Sequence, residues 1–237
     1  VTRQRAAVLA SGGGSNLQAL LDYLASLGER RALDVVLVAS DRAEAGALDR
    51  ARRAGIPVEG IRSPGMPQAP ELMQLLDAYD VAVVVLAGYL RLVPPDVTGR
   101  FTARILNVHP GPLPGFGGAG MYGRRVHRAV LDAGVPFTGP TVHLVDAVYD
   151  HGPPLAHWPV PVLAGDDEHV LAARVLRAEH LLFPRIVQRH ASMLADTSVS
   201  TATEERAPIV FAAFDPSLDD GTLAVRLDAA MAAAASR

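Results

Sequence analysis

Asn107 and His109 stand two residues apart in ILNVH (105–109), a run that reads as a β-strand stopped by Pro110. Residues i and i+2 of a strand face the same side, so an amide and an imidazole are presented together. In an open parallel sheet, ligands bind beyond the carboxyl ends of the strands. An amide donating to a developing oxyanion, beside an imidazole that moves a proton, suits acyl-type transfer to an amine. The alternative, in which each side chain serves the local loop backbone, stays open on spacing alone. Asp150 lies in the polar turn YDHGPP (149–154). A carboxylate there would hold a protonated imidazole and order a water if it reached His109, although Asp in turns is ordinary. His143, between Val142 and Leu144 on another strand-like run, either lines the same site or is a satisfied half-buried histidine. His109, His143 and Asp150 show no short ligand pair, so no metal is expected.

A second candidate is SGGGSN (11–16), between the apolar run AAVLA (6–10) and a helical pattern through Leu17, Leu20, Leu21 and Leu24. Consecutive N–H groups in such a strand-turn-helix unit suit a phosphate. The turn matches neither the dinucleotide fingerprint nor the nucleotide P-loop, and a plain tight turn is the competing reading. Ser15 with Gln18 has capping-box spacing. Arg91, after the apolar run 81–86 and the turn Ala87-Gly88-Tyr89, either meets an anionic ligand or pairs with a carboxylate. Glu179-His180 is either solvated or reaches back to a ligand.

These groups need a scaffold, and the apolar pattern supplies one. Strands are expected at 6–10, 35–39, 81–86, 105–109 and 141–145, with helices at about 43–54, 71–78 and 126–133. A short edge element is expected at 56–58. Alternation at this spacing indicates parallel crossover units, and the run 81–86, apolar on both faces, belongs at the centre of a parallel sheet. The prolines of 62–70 make a loop, and 110–120 (PGPLPGFGGAG) is a longer one. After an extended stretch at 155–162, a long helix starts near Glu168, with Pro184 expected to end or kink it. Periodicity fades over 192–208; 209–211 is a candidate last strand and the end a low-information helix or frayed tail.

Composition narrows the partners. With 237 residues, 49% hydrophobic and 20% charged, the chain has the material for a sizeable core and reads as one folded domain. Its net charge of -3, from 22 basic and 25 acidic residues, gives no support to nucleic acid or an anionic membrane as partner. The longest apolar run, Val81 to Leu90, is half of what a membrane helix needs. No secretory signal is expected from the opening residues, and zero cysteines fit a reducing compartment, hence the cytoplasm.

Taken in order, SGGGSNLQALLD (11–22), VVLAGYLRLV (84–93), ILNVHPGPLP (105–114), TVHLVDAVYDHGP (141–153), PVLAGDD (161–167) and RAEHLLFP (177–184) resemble the phosphoribosylglycinamide formyltransferases, folate-dependent enzymes of purine synthesis. The resemblance runs from about Val8 to about Val187. It implies an α/β, Rossmann-like fold with a mostly parallel central sheet and helices on both faces. Residues 1–190 would form the catalytic domain, with a nucleotide and phosphate half (about 1–100) and a catalytic and folate half (about 101–190). Residues 191–237 would be an extension of unassigned role. By the same resemblance, Asn107, His109 and Asp150 are the catalytic triad. Gly13, Gly14, Ser15 and Asn16 cradle the ribonucleotide phosphate, and Glu179 binds glycinamide ribonucleotide. Leu90, Arg91, Leu92 and Val93, with Val145, Asp146, Ala147 and Asp150, serve the folate. The implied reaction moves a formyl group from 10-formyltetrahydrofolate, a co-substrate, to glycinamide ribonucleotide without a metal; a homodimer is compatible with the sequence.

Departures from the family pattern are Gly111-Pro112 where Ser-Leu is common, Gly13 where Asn is common, and a 115–126 loop of one family variant. Three other readings are weighed. A methionyl-tRNA formyltransferase shares the Asn/His/Asp chemistry but adds a basic C-terminal nucleic-acid-binding domain, not expected in this acidic-leaning chain. A formyltetrahydrofolate deformylase shares the catalytic region but usually carries an N-terminal regulatory domain, not expected before Val8. A non-enzymatic phosphometabolite-binding protein would need the glycine turn but not Asn107, His109 and Asp150 together.

Overall fold

An eight-stranded sheet runs through the computed structural model, which describes residues 3–61, 69–196 and 209–235. Strands β1 (Gln4–Leu9), β2 (Leu33–Ser40), β3 (Val58–Gly60), β4 (Val83–Leu86) and β5 (Ile105–His109) pair in parallel, in the spatial order β5-β4-β1-β2-β3. Strand β6 (Phe137–Thr138) leaves the main sheet. Beside β5 come β7 (Thr141–Leu144) and then β8 (Pro154–His157), both antiparallel to their predecessors. Strand β9 (Val160–Pro161) pairs antiparallel with β6, and β10 (Ile209–Val210) joins β8 in parallel at the outer edge. The helices are α1 (Ser15–Leu27), α2 (Gly46–Arg53), α3 (Ala69–Ala78), α4 (Pro95–Arg100), α5 (Arg124–Asp132), α6 (Glu168–Ala195) and α7 (Asp220–Ala235). The expected mostly parallel sheet with helices on both faces is what forms, β4 at its centre and β3 at its edge. The loop expected at 62–70 lies outside the described residues over 62–68, as does most of the aperiodic stretch 192–208, from 197 onward.

The two faces of the sheet explain where the site lies. Ala6 and Val8 of β1, Val83 and Val85 of β4, and Leu106 and Val108 of β5 pack in one buried cluster with α1 and α6. Ala7, Leu9, Val84, Leu86 and Ile105 point the other way, into a second cluster with Leu72 and Leu76 of α3 and Val97 of α4. Strand alternation puts Asn107 and His109 on the side of Ile105. The register pairs Asn107 with His143 directly across β5 and β7, so His143 shares that side. Positions that carry aliphatic core on β1 and β4 thus carry polar groups on β5 and β7.

Two local expectations are corrected. Ser15 is not an N-cap: the capping position is Gly14, in the left-handed region at φ 75°, with no side-chain cap. Gln18 donates instead to Asp22 at 2.8 Å and accepts from Arg50 at 3.2 Å. The capping box yields because Gly14 lies tight against α2, where only a residue without a side chain fits. Pro184 does not end the long helix either; α6 is one 28-residue helix. Leu182, Phe183, Pro184, Ile186 and Val187 are all buried, and this packing outweighs the one helical hydrogen bond that proline removes. The short helix α4 had no expectation attached to it.

Residues from Ile209 onward pack on the same core. Phe211, Phe214, Leu223 and Leu227 are buried with Trp158, whose ring meets Phe214 edge-on at 5.1 Å between centroids. Trp158 Nε1 donates to Ala212 O at 3.0 Å. Arg177 and Arg185 of α6 bind Asp220 and Asp228 of α7, each at 2.7 Å. The end of the chain is therefore a packed helix up to Ala235.

Candidate active site

Asn107 and His109 close β5 at its carboxyl end, and the strand's partner across the register brings a third polar group, His143. Asn107 Nδ2 donates to His143 Nε2 at 3.0 Å, and His143 Nδ1 donates to Leu144 O at 2.8 Å. The second amide hydrogen of Asn107 is left for another acceptor. His109 Nε2 donates to Phe116 O at 2.8 Å, and its Nδ1 lies 3.4 Å from Asp150 Oδ2. Both nitrogens of His109 thus face oxygens that accept.

Asp150 sits at the meeting point. Its Oδ1 is 3.6 Å from His143 Nε2, and its Oδ2 also accepts from Gly118 N at 3.1 Å. Burial alone would push its pKa up, but contacts with His109 and His143, the charge of His109 and the Gly118 amide together hold the carboxyl well below the usual range. It is a carboxylate at any physiological pH. The backbone there is left-handed, φ 54°, a conformation that Asp adopts more readily than most residues. Close packing holds it: a Cβ at Gly117 would come within 2.9 Å of the Asp150 Cβ.

A pocket of about 650 Å³ opens over these groups. Asn107, His109, His143 and Asp150 form its floor, and Leu90, Arg91, Leu92, Val93 and Val145 form part of its wall. Asn16 and Glu179 line its other end, where Asn16 Nδ2 donates to Glu179 Oε2 at 2.7 Å. Gly13, Gly14 and Ser15 are outside the wall itself, in the turn just before Asn16. Asp146 and Ala147 are also outside it: Asp146 faces His151 at 2.7 Å and accepts from Val148 N. Arg91 pairs with Asp41 at 3.0 Å, so the carboxylate alternative for this residue holds here. Ser11 ties the two turns together, donating its N–H to Gly88 O and accepting from Leu90 N, both at 3.0 Å.

The glycine turn itself is constrained by contact. A Cβ on Gly14 would lie 2.6 Å from Ala47 Cα and 2.8 Å from Ala47 Cβ. Gly14→Ala, which also forces an alanine into φ 75°, is expected to cost about 1–3 kcal/mol in denaturant unfolding.

Glu179 is buried, and that burial pushes its carboxyl up to about 7, against smaller opposing effects of the Asn16 hydrogen bond and His109. A carboxyl whose folded value is raised stabilises the fold below its unfolded value and loses that contribution as pH rises through the folded one. Between pH 4.5 and about 7, ionising Glu179 is therefore expected to destabilise the ligand-free protein, by on the order of 3 kcal/mol. Glu179→Gln is expected to match the native melting temperature near pH 4.5 and exceed it at pH 8, read by thermal unfolding across that range.

His127 of α5 also lines the pocket, and no sequence signal marked it, because VHRAVL reads as an ordinary helical face. Burial, then the charge of His109, lowers it to about 4, so it is neutral at pH 7. The carbonyl of Phe116 and the amide of Gly118 were equally invisible, being backbone groups of a loop. Among the described residues, no group of three or more His, Cys, Asp or Glu is placed to hold a metal ion, and no helix is long and apolar enough to cross a membrane.

The formyl transferase family model matches residues 4–187. The chain belongs to the formyl transferase family. Among curated proteins, this formyl transferase is 43% identical over 190 residues to the chloroplastic phosphoribosylglycinamide formyltransferase of Arabidopsis thaliana, covering 78% of this chain and 64% of that one. It thus spans somewhat less than two thirds of that relative's length. With the phosphoribosylglycinamide formyltransferase of Escherichia coli K12 it shares 37% identity over 184 residues, covering 76% of this chain and 84% of that one. Glycinamide ribonucleotide transformylase 1 of Symbiobacterium toebii superposes with a TM-score of 0.73 at 40% identity, over 80% of this chain and 88% of that one.

Proposed function

We propose that this formyl transferase moves the formyl group of 10-formyltetrahydrofolate to the primary amine of glycinamide ribonucleotide, the acceptor that its relatives' names give. The observation that carries this reading is one pocket that joins the Asn107–His109–His143–Asp150 cluster to Asn16 and Glu179, beside the glycine turn. A long two-part substrate set needs such a continuous site, with the phosphate at the turn and the folate ring against residues 90–93 and 145. Residues up to about 100 then supply the phosphate turn and the 90–93 part of the folate wall, residues 101–190 the chemistry, the rest of the folate wall and Glu179, and residues 191–237 extend this catalytic domain. The expected compartment is the cytoplasm.

In this reading the neutral amine attacks the formyl carbon, a C–N bond forms, and the carbonyl oxygen becomes an oxyanion. The free amide hydrogen of Asn107 donates to that oxygen, and protonated His109 places its charge beside it. The 3.4 Å between His109 Nδ1 and Asp150 Oδ2 is long for a charge-assisted hydrogen bond, which lets Nδ1–H turn toward the intermediate. Asp150, kept ionised, orders a water that relays the ammonium proton toward folate N10. The C–N10 bond then breaks, releasing tetrahydrofolate. Glu179 and Asn16 hold the glycinamide end, and no covalent enzyme intermediate or metal is called for.

The test is an absorbance assay of folate product with purified full chain and 10-formyltetrahydrofolate, run with and without glycinamide ribonucleotide. Product formed only with the ribonucleotide is the expected result. Equal product without it would make the protein a deformylase, and none in either case, from folded protein, would leave a binding role.

A further inference from the structure

Two successive carbonyls of the glycine turn point at α2. Ala47 N–H donates to Gly12 O at 3.1 Å, and Arg50 Nε–H donates to Gly13 O at 2.8 Å. In a planar trans peptide the C=O and the following N–H point opposite ways. Pinning Gly12 O and Gly13 O toward α2 therefore turns the amides of Gly13 and Gly14 away from it. No acceptor among the described residues takes the N–H of Gly13, Gly14, Ser15 or Asn16. The Gly12 anchor is backbone and indifferent to side chain. The Gly13 anchor is the Arg50 guanidinium, whose Nη1 also donates to Gln18 Oε1 at 3.2 Å, one turn into α1.

We infer that Arg50 is a positioning residue for the phosphate: by holding the Gly13 carbonyl back and bracing the turn against α1, it orients the Gly13 and Gly14 amides toward a bound phosphoryl group. This rests on the proposed placement of the ribonucleotide phosphate at the glycine turn. Without the clamp, the Gly13–Gly14 peptide is free to flip, and one donor of the cradle is replaced by an oxygen that repels the anion. A single ammonium cannot reproduce the two-armed contact, because a guanidinium presents several donors in a fixed fork and a lysine presents one compact charge.

The test uses the full chain labelled with ¹⁵N and titrated with ribose 5-phosphate, beside steady-state kinetics. The native protein is expected to shift its Gly13 and Gly14 amide signals on titration. Arg50→Ala is expected to weaken the probe roughly tenfold and to raise KM for glycinamide ribonucleotide by a similar factor, with kcat and KM for the folate changed less than about twofold. Arg50→Lys is expected to recover less than half of that loss. Unchanged probe affinity in Arg50→Ala overturns the inference, as does full rescue by lysine, which would make the charge alone responsible. If Arg50→Ala does not fold, Arg50→Gln, which cannot reach both acceptors, takes the same readouts. A native chain that binds ribose 5-phosphate through these amides but transfers no formyl group to the ribonucleotide sinks the proposed function and leaves the clamp standing; a native chain whose amides ignore the probe sinks the clamp.

Discussion

Asn107→Ala is expected to lower kcat by about two to three orders of magnitude while the protein stays folded, the loss that follows removal of one well-placed oxyanion donor. The residue is half-buried, and its one side-chain bond among the described residues is the 3.0 Å contact to His143. Losing that bond costs on the order of 1 kcal/mol of stability, little beside the catalytic loss. The free amide hydrogen is used only when negative charge has developed on the substrate oxygen, so KM for either substrate is expected to stay within a few-fold. Turnover at saturating substrates, with a melting curve on the same sample, measures this. Near-native kcat in folded Asn107→Ala would remove Asn107 from the chemistry.

Asp150→Asn is expected to be of the same order or larger, about 10²–10⁴ in kcat. Asparagine tolerates the left-handed backbone at this position as aspartate does, and its carbonyl oxygen can still accept from Gly118, so the change isolates the charge. What disappears is the anion beside His109 and the base that orders the relay water. Stability gives an independent check with a definite sign. A carboxyl whose folded value is depressed contributes stability that is complete above its unfolded value, near 4, and is lost as pH falls through the folded one. The stability deficit of Asp150→Asn is therefore expected to be full at pH 7 and to shrink in acid below about pH 4. A deficit that is constant from pH 7 to pH 3 would show that the carboxylate's contacts with the two imidazoles contribute nothing.

Asn107 and His109 were legible because strand alternation is local: two residues, one face, one proline. His143 was legible only as one of two readings, since its place depends on the antiparallel pairing of β5 with β7, a register between residues 36 apart that no local pattern encodes. Asp150 was nameable as a turn residue but its meeting with both imidazoles is a tertiary fact. The capping box at Ser15 misled because a local spacing rule ignores the helix that packs against Gly14. Pro184 does not end α6, because a rule calibrated on exposed helices fails where the residues around it, from Leu182 to Val187, are buried. Resemblance reached Asn16 and Glu179, which bond to each other in the pocket wall, where spacing had left a choice.

The cover that Phe211, Phe214, Leu223 and Leu227 lay over Trp158 and α6 bears on how the polypeptide is handled rather than on what it catalyses. Shortening the protein before this cover would leave the catalytic side chains in place yet bare an apolar strip beside β8, whose edge loses its partner β10 as well. A strand edge next to an oily surface is a template for self-association. Loss of this cover is therefore expected to show first as insoluble protein, with kcat of the soluble fraction unchanged, when soluble yield and turnover of full and shortened chains are compared.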